Sequence, residues 1–262
     1  MIFQVSVGPN KTSQLYKYCM NTVAFYCARH GIDHQVLTEP RLKIKPNPFT
    51  TNRSANAQRL GYLPIFEKEN AFDIMRSEGY DQIAIIDADI YIREDAPNIF
   101  DEFGTEHDFG AVPEMDMPIN AAYMQKIKNY SHMQYNTLAG KASEWRYETS
   151  TGYEFMNMGM IVFNRSLLPY LDGRSAKDFL EQTRFQAFVD GAGNWKWSTD
   201  QTLLNYWIRK DGINFKRMDW KWNGLYSALQ KDKIKEAHFV HFFLKDKLPN
   251  AGENVDELMT KI

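Results

Sequence analysis

Hydrophobic and polar positions along the chain follow two periods, and their alternation sets out an order of elements. Ile2 to Val7 is an apolar run ending in Gly8-Pro9-Asn10, which reads as a buried strand followed by a turn. Ser13 opens a stretch in which Leu15, Tyr18, Cys19, Thr22, Val23 and Tyr26 share one helical face, and Gly31 closes it. That spacing predicts a helix running to His30. Gln35 to Thr38 reads as a second strand. A strand–helix–strand opening starts an α/β sheet with parallel pairing.

Further along, Pro40, Pro46 and Pro48 mark residues 40 to 53 as a loop. A helix is expected from Pro64 to Glu78, stopped by Gly79. The clearest strand is Gln82 to Ile86; it runs into Asp87-Ala88-Asp89 and continues through Ile90 to Ile92. Phe109 to Pro113, Phe155 to Phe163 and Ala237 to Phe243 read as further strands. Ala176 to Val189 and Asp200 to Ile208 read as helices, separated by a turn at Gly191, Gly193 and Asn194. Residues 114 to 154, rich in Tyr, Met, Asn and Ser, show no clean period. A stretch this long without regular structure is uncommon and often functional. No repeat or linker interrupts the chain, so the expectation is one domain over residues 1–262, with 114–154 as an insertion on the acceptor side.

Composition narrows the function classes. With 31 basic against 33 acidic residues the net charge is −2, which gives no general affinity for a polyanion, so no nucleic-acid partner is expected. No apolar run reaches the roughly 18 residues of a bilayer-spanning helix. The start of the chain lacks the charged and apolar regions of a signal peptide. Cys19 and Cys27 fall on one predicted helix, roughly 12 Å apart at its rise per residue, too far for a disulfide. Free thiols fit a reducing compartment, and the expected location is cytoplasmic.

The candidate chemistry begins at the carboxylates. Alternate residues of an extended chain point to the same side, so Asp87 and Asp89 can face one ion at the carboxyl end of their strand, where α/β sheets bind ligands. Two close carboxylates repel unless a cation or a proton sits between them. A hard divalent ion, Mn²⁺ or Mg²⁺, suits oxygen ligands and can hold a diphosphate. Asp-x-Asp alone is more often a solvated turn; the apolar strand before it is what favours a site.

Four features recur in order: the strand ending in Asp-x-Asp, Asn157-Met158-Gly159 on a later strand, Asp200-Gln201 opening a helix, and Val240-His241-Phe242 near the end. This pattern resembles the GT-A glycosyltransferases, and among them the retaining family of glycogenin and the bacterial lipopolysaccharide galactosyltransferases. The likeness extends sparsely from Ile2 to Lys247. It implies an α/β fold of GT-A type, with a mixed, mostly parallel sheet flanked by helices. It also implies a metal held by Asp87, Asp89 and His241, and a nucleotide-sugar donor, a UDP-sugar, contacted by Val7, Gly8, Lys68, Asp87, Ala88, Asp89, Asn157, Gly159 and Lys247.

By the same resemblance Asp200 binds a donor-sugar hydroxyl and Gln201 lies near the anomeric carbon. Plain helix chemistry also explains Asp200, because Thr199 or Ser198 caps the helix and an acid is favourable in its first turn. His238 competes with His241 as the histidine ligand. The family places a glycine where this chain has Leu244. Lys68 is spaced a few residues differently from the family's lysine, and the N-terminal loop is shorter than the family's.

The implied reaction is transfer of a sugar to an acceptor hydroxyl with retention. The acceptor, a glycan, a lipid-linked sugar or a protein, is expected over residues 114–154 and near Trp220, Trp222, Asn223 and Tyr226, unless the two tryptophans are simply packing. A sugar-nucleotide nucleotidyltransferase is the main rival, but Val5 to Lys11 makes a poor phosphate loop and Pro9 removes a backbone donor. An inactive nucleotide-sugar-binding module is the other alternative, and a metal-dependent phosphatase leaves the later motifs unexplained.

Overall fold

The computed structural model describes residues 1–47, 49–50, 53–139 and 145–262. Its strands are β1 (Ile2–Val5), β2 (His34–Leu37), β3 (Gln82–Ile86), β4 (Ile90–Ile92), β5 (Phe109–Pro113), β6 (Tyr147–Glu148), β7 (Gly152–Tyr153), β8 (Met156–Asn164), β9 (Phe215–Arg217), β10 (Gly224–Leu225) and β11 (Phe239–His241). The α-helices are α1 (Gln14–His30), α2 (Ala55–Leu60), α3 (Asn70–Glu78), α4 (Ile99–Phe103), α5 (Ala121–Ala139), α6 (Ala176–Leu180), α7 (Gln186–Asp190), α8 (Asp200–Lys210) and α9 (Val255–Met259).

The main sheet has the order β2-β1-β3-β8-β5-β9. The pairs β1–β2, β1–β3 and β5–β9 are parallel, and β8 alone runs against its neighbours β3 and β5. This is the mixed, mostly parallel sheet expected. Helices cover both faces, which is why the central strands read as continuous apolar runs. Ile83 and Ile85 of β3 enter one core with Phe72 of α3 and Trp207 of α8. Ala84 and Ile86 enter the other with Leu15, Cys19 and Val23 of α1.

Two features of the sheet aim residues at one end of it. Between β5 and β8 the register jumps from Ala111 opposite Ile161 to Val112 opposite Asn157. Such a bulge bends a strand and redirects its side chains. It releases Met158-Gly159-Met160 from β5, and the Gly159 carbonyl accepts from Asp87 N at 2.7 Å. A second, small sheet of order β10-β11-β4 pairs His241 with Ile90 in antiparallel register. It carries the end of the chain back beside the Asp87–Asp89 turn.

Several expected elements differ in detail. β1 stops at Val5, and residues Gly8–Thr12 wind into a 3-10 turn in which Gly8 takes φ +62°. The buried face of α1 is Leu15, Cys19, Val23, Tyr26 and Cys27. Tyr18 is instead exposed, stacked on Tyr91 with ring centroids 6.2 Å apart. Ser13 caps the helix and Gly31 ends it in left-handed conformation, as expected. The Pro64 helix opens as a 3-10 turn before becoming α3.

The expected 176–189 helix breaks in two where Arg184 forks onto Asp211, at 2.7 and 2.9 Å. The last strand is only Phe239–His241. Cys19 and Cys27 are both free and buried. Among the described residues no helix is long and apolar enough to cross a membrane.

The largest difference is α5, inside the stretch that shows no period. Its buried positions include Ile127, Ser131, Gln134 and Tyr135. The spacing is helical, but two of the four are polar. Ser131 Oγ donates to the Lys128 and Thr151 carbonyls, and Gln134 Nε2 donates to the Asn194 carbonyl. Hydrogen bonding makes burial of such groups tolerable, and the two polar positions interrupt the face that Tyr123, Met124, Ile127, Tyr130, Tyr135 and Leu138 otherwise form. Of the 114–154 stretch, residues 140–144 lie outside the described residues, as do Pro48, Thr51 and Asn52 of the expected loop.

Candidate active site

At the carboxyl end of β3 and β1 an open cleft of about 340 Å³ gathers Asp87, Ala88, Asp89, Lys68, Asn157, Gly159, Asp200, Gln201 and His241. Its remaining wall includes Val5, Val7, Asn10, Tyr16, Ile65 and Leu244. Asp87 directly follows β3, and Asp89 lies in the turn to β4. Phe242 N donates to the Asp89 carbonyl at 3.0 Å, which pins the His241 segment to that turn.

His241 Nε2 lies 3.4 Å from Asp89 Oδ1 and 3.8 Å from Asp87 Oδ2. One ligand atom from each residue falls within 4.8 Å of the others. Ligands about 2.1 Å from an octahedral ion lie about 3 Å apart when adjacent and about 4 Å when opposite. Two carboxylates and an imidazole at this spacing therefore fit a hard or borderline divalent cation such as Mn²⁺ or Mg²⁺. The electrostatics are those of a site built for positive charge. Burial pushes the Asp87 carboxyl above its usual range, although Lys68 and His241 pull the other way. Burial acts on Asp89 in the same sense, but His241 and Lys245 with a backbone hydrogen bond together outweigh it and hold that carboxyl low. Burial lowers His241, but Asp89 and Asp87 together outweigh it and raise the imidazole above its usual value. A divalent ion can replace the proton this cluster attracts.

Lys68 is the second organising residue. Its ammonium donates to Asp87 Oδ1 at 3.0 Å and to the Met158 carbonyl at 2.8 Å, and it pairs with Asp200 Oδ2 at 2.7 Å. Burial alone would lower Lys68, but Asp200 and Asp87 outweigh it and keep the group charged. One cation thus joins the Asp87 side of the cleft to the first turn of α8. Thr199 caps that helix, its side chain accepting from Gln201 N. Asp200 is 2 % exposed, so its place is far more constrained than that of a solvated helix-start acid.

Behind the triad lies a buried polar chain. His241 Nδ1 donates to Asn223 Oδ1 at 3.0 Å, and Asn223 Nδ2 donates to Asn157 Oδ1 at 2.8 Å. Asn157 Oδ1 also accepts from Gly159 N at 2.9 Å, and Asn157 Nδ2 donates to Glu114 Oε1 at 2.7 Å. Glu114 accepts further from Tyr123 Oη at 2.8 Å and from Gln201 Nε2 at 3.4 Å. Gly159 leaves room for the imidazole: a Cβ there would lie 2.3 Å from His241 Cε1.

Most residues singled out in the sequence converge here. Lys247 does not. Its side chain is 65 % exposed beside Asp246, away from the cleft. The nearby cation is Lys245, whose Nζ sits 3.7 Å above the Tyr16 ring and which feels the charge of Asp89. Leu244 adopts φ +56°, a left-handed conformation costing a non-glycine residue roughly 1–2 kcal/mol. The chain therefore keeps a glycine-like turn without the glycine.

Gly8 faces a separate surface groove with Lys11, Lys43 and Lys45. Trp222 is buried, edge-on to Phe239, so it is packing, and Asn223 belongs to the histidine network. His238 lies outside the triad, against Trp222. Glu114, Tyr16 and Lys245 were missed from sequence. Glu114 had a signal: like Asp87, it directly follows an apolar strand of the same sheet.

No protein-family model matches the sequence, and no curated protein matches it. Solved structures do match along the whole chain. A glycosyltransferase involved in the glycosylation of the major capsid of PBCV-1 is 13 % identical, with 100 % of this chain and 99 % of that chain covered and a TM-score of 0.57. The galactosyltransferase LgtC in complex with donor and acceptor sugar analogs is 13 % identical, with 99 % and 94 % covered and a TM-score of 0.51. An active-site mutant of LgtC is 11 % identical, with 99 % and 95 % covered and a TM-score of 0.53. At these identities the likeness is one of fold: the chain has the GT-A glycosyltransferase fold expected from its sequence.

Proposed function

We propose that this protein is a metal-dependent glycosyltransferase that moves a sugar from a nucleoside diphosphate donor, a UDP-sugar, to an acceptor hydroxyl. One observation carries the reading. The Asp87-Asp89-His241 cluster and the Lys68–Asp200 pair open into the same cleft, so a cation site and a polar sugar-sized site are adjacent. That is the arrangement needed to separate a sugar from a diphosphate. The fold shared with LgtC and the capsid glycosyltransferase supports it.

Asp87, Asp89 and His241 would hold the divalent ion, Mn²⁺ or Mg²⁺, which when bound supplies charge neutralisation for the departing diphosphate. Val5, Val7 and Ile65 give the cleft apolar lining for a nucleobase, and Asn10 also lines it. Lys68 fixes Asp200, whose remaining oxygen is available to a sugar hydroxyl, and Gln201 sits against Glu114 at the same end. Asp200 is engaged by Lys68, so it is poorly disposed to act as a covalent nucleophile. The acceptor hydroxyl therefore attacks on the face from which the diphosphate leaves, its proton passes to the leaving phosphate oxygen, and configuration is retained.

The test is calorimetric titration of UDP with and without Mn²⁺, repeated on Asp89→Ala. Metal-dependent binding that disappears in the variant is expected. Absence of binding under every condition would overturn the UDP donor. Binding without turnover across a broad acceptor panel would favour a nucleotide-sugar-binding module, and an inverted linkage in the product NMR spectrum would overturn retention.

A further inference from the structure

We infer that Glu114 is a positioning residue for the metal site: it sets, through Asn157 and Asn223, the tautomer of His241 that leaves Nε2 free for the ion. This deepens the function proposed above and rests on its metal site. The argument follows the direction of each hydrogen bond. An ionised carboxylate only accepts, so Glu114 Oε1 obliges Asn157 to turn its Nδ2 inward, at 2.7 Å. Asn157 Oδ1 must then face the other way. There it accepts from Gly159 N, a group that can only donate, and from Asn223 Nδ2. Asn223 in turn has only its Oδ1 left for His241, and an acceptor at 3.0 Å requires a hydrogen on Nδ1. A neutral imidazole with its proton on Nδ1 has its lone pair on Nε2, the atom that faces Asp89 and Asp87.

The chain is buried throughout. Glu114 is 3 % exposed, Asn157 7 %, Asn223 0 % and His241 5 %. Water therefore cannot readily substitute for a missing link, and an amide turned the wrong way would place two donors or two acceptors face to face. The Tyr123 hydroxyl and Gln201 Nε2 donate to Glu114 from the other side. Burial pushes the Glu114 carboxyl above its usual range, and the hydrogen bonds from Asn157, Tyr123 and Gln201 oppose that shift and favour the accepting form on which the relay depends. Glu114 and the Gly159 N–H hold opposite ends of the same amide, so loss of Glu114 frees Asn157 Nδ2 and weakens the preference without abolishing it. Outer partners of a metal-bound histidine are typically worth about 10- to 100-fold in metal affinity.

The experiment uses the full chain with ¹⁵N-labelled histidine and follows Glu114→Ala, Glu114→Gln and Asn223→Ser. Two readouts are taken: the His241 tautomer by NMR in metal-free protein above the imidazole's titration, and Mn²⁺ affinity by electron paramagnetic resonance. The parent should show hydrogen on Nδ1. Glu114→Ala should shift the ring toward a mixture and weaken Mn²⁺ about 10- to 100-fold. Glu114→Gln keeps a carbonyl acceptor for Asn157 and should hold both readouts near the parent. Asn223→Ser cuts the relay one link further on, leaves the Glu114 hydrogen bonds in place, and serves if Glu114→Ala does not fold.

An unchanged tautomer in Glu114→Ala and Asn223→Ser would overturn the inference. So would equal losses in Glu114→Ala and Glu114→Gln, because that pattern assigns the effect to charge and not to hydrogen-bond direction. A parent that binds no Mn²⁺ would refute the metal reading itself, while the tautomer would still decide the relay.

Discussion

Gly159→Ala offers a severe test of the proposed metal geometry, because a single methyl group meets His241, its proposed histidine ligand, directly. Gly159 does not take a positive φ, so the backbone itself accepts alanine. The added Cβ would lie 2.3 Å from His241 Cε1, 2.5 Å from Nδ1 and 3.0 Å from Asn157 Oδ1. Carbon atoms in contact settle at about 3.5–4.0 Å, so the imidazole must retreat by more than about 1 Å. Metal–ligand distances tolerate only about 0.2 Å, and a retreat of that size removes His241 from the coordination sphere.

The expected loss is about 100-fold in Mn²⁺ affinity, equivalent to about 3 kcal/mol. Overpacking should cost a further 1–3 kcal/mol or so in the stability of metal-free protein. Electron paramagnetic resonance titration of Mn²⁺ gives the first quantity and urea unfolding the second. In the double variant Gly159→Ala/His241→Ser the clash with the imidazole is gone and only the 3.0 Å contact with Asn157 Oδ1 remains, so stability should recover in part while metal binding does not. A folded Gly159→Ala that binds Mn²⁺ within about threefold of the parent would refute the placement of His241 as a ligand.

Lys68→Met leaves Asp87 and Asp200 without their shared cation; urea unfolding should show a loss of about 3–5 kcal/mol, partly recovered by adding Asp200→Asn. Lys245→Ala should weaken calorimetric UDP binding in Mn²⁺ about tenfold, or about 1.4 kcal/mol, whereas exposed Lys247 should be replaceable by alanine with little effect; the reverse ranking would restore Lys247 as the phosphate contact. Glu154 tests pH dependence. It is buried between Arg209 and Arg217, at 2.9 and 2.7 Å. Burial would raise its carboxyl, but the two arginines outweigh that and hold it below its usual value. A lowered folded pKa contributes stability that is present above the unfolded value of about 4.3 and is lost as pH falls through the folded one. Thermal unfolding from pH 7 down to 2 should show that acid loss in the parent and a flatter profile in Glu154→Gln, which starts about 3–5 kcal/mol less stable because Arg209 is left buried and unpaired.

Much of the scaffold was legible in the sequence because its signals are local. The apolar run of β3 ending in Asp87, the Ser13 and Thr199 caps and the Gly31 and Gly79 stops each act over a few residues, and the structure places them where expected. Helix α5 escaped because Ser131 and Gln134, satisfied by distant carbonyls, interrupt the apolar face formed by Tyr123, Met124, Ile127, Tyr130, Tyr135 and Leu138, which left its period broken in the sequence. Lys68 was a weak candidate by spacing alone. Its importance comes from two carboxylates, on β3 and α8, that only the assembled sheet brings to one ammonium.

The sequence by itself determined that the chain builds an α/β sheet with paired carboxylates at a strand end, and that a histidine and an Asp-Gln helix start were candidates to join them. Only the tertiary structure decided which groups meet. The β5–β8 bulge turned Asn157 and Gly159 toward His241, the small β10-β11-β4 sheet brought His241 to Asp89, and the turn at Leu244 left Lys245 over Tyr16 with Lys247 in solvent. These outcomes depend on register and on backbone turns set by packing between residues far apart in the chain, and a local pattern of side chains does not encode that distance.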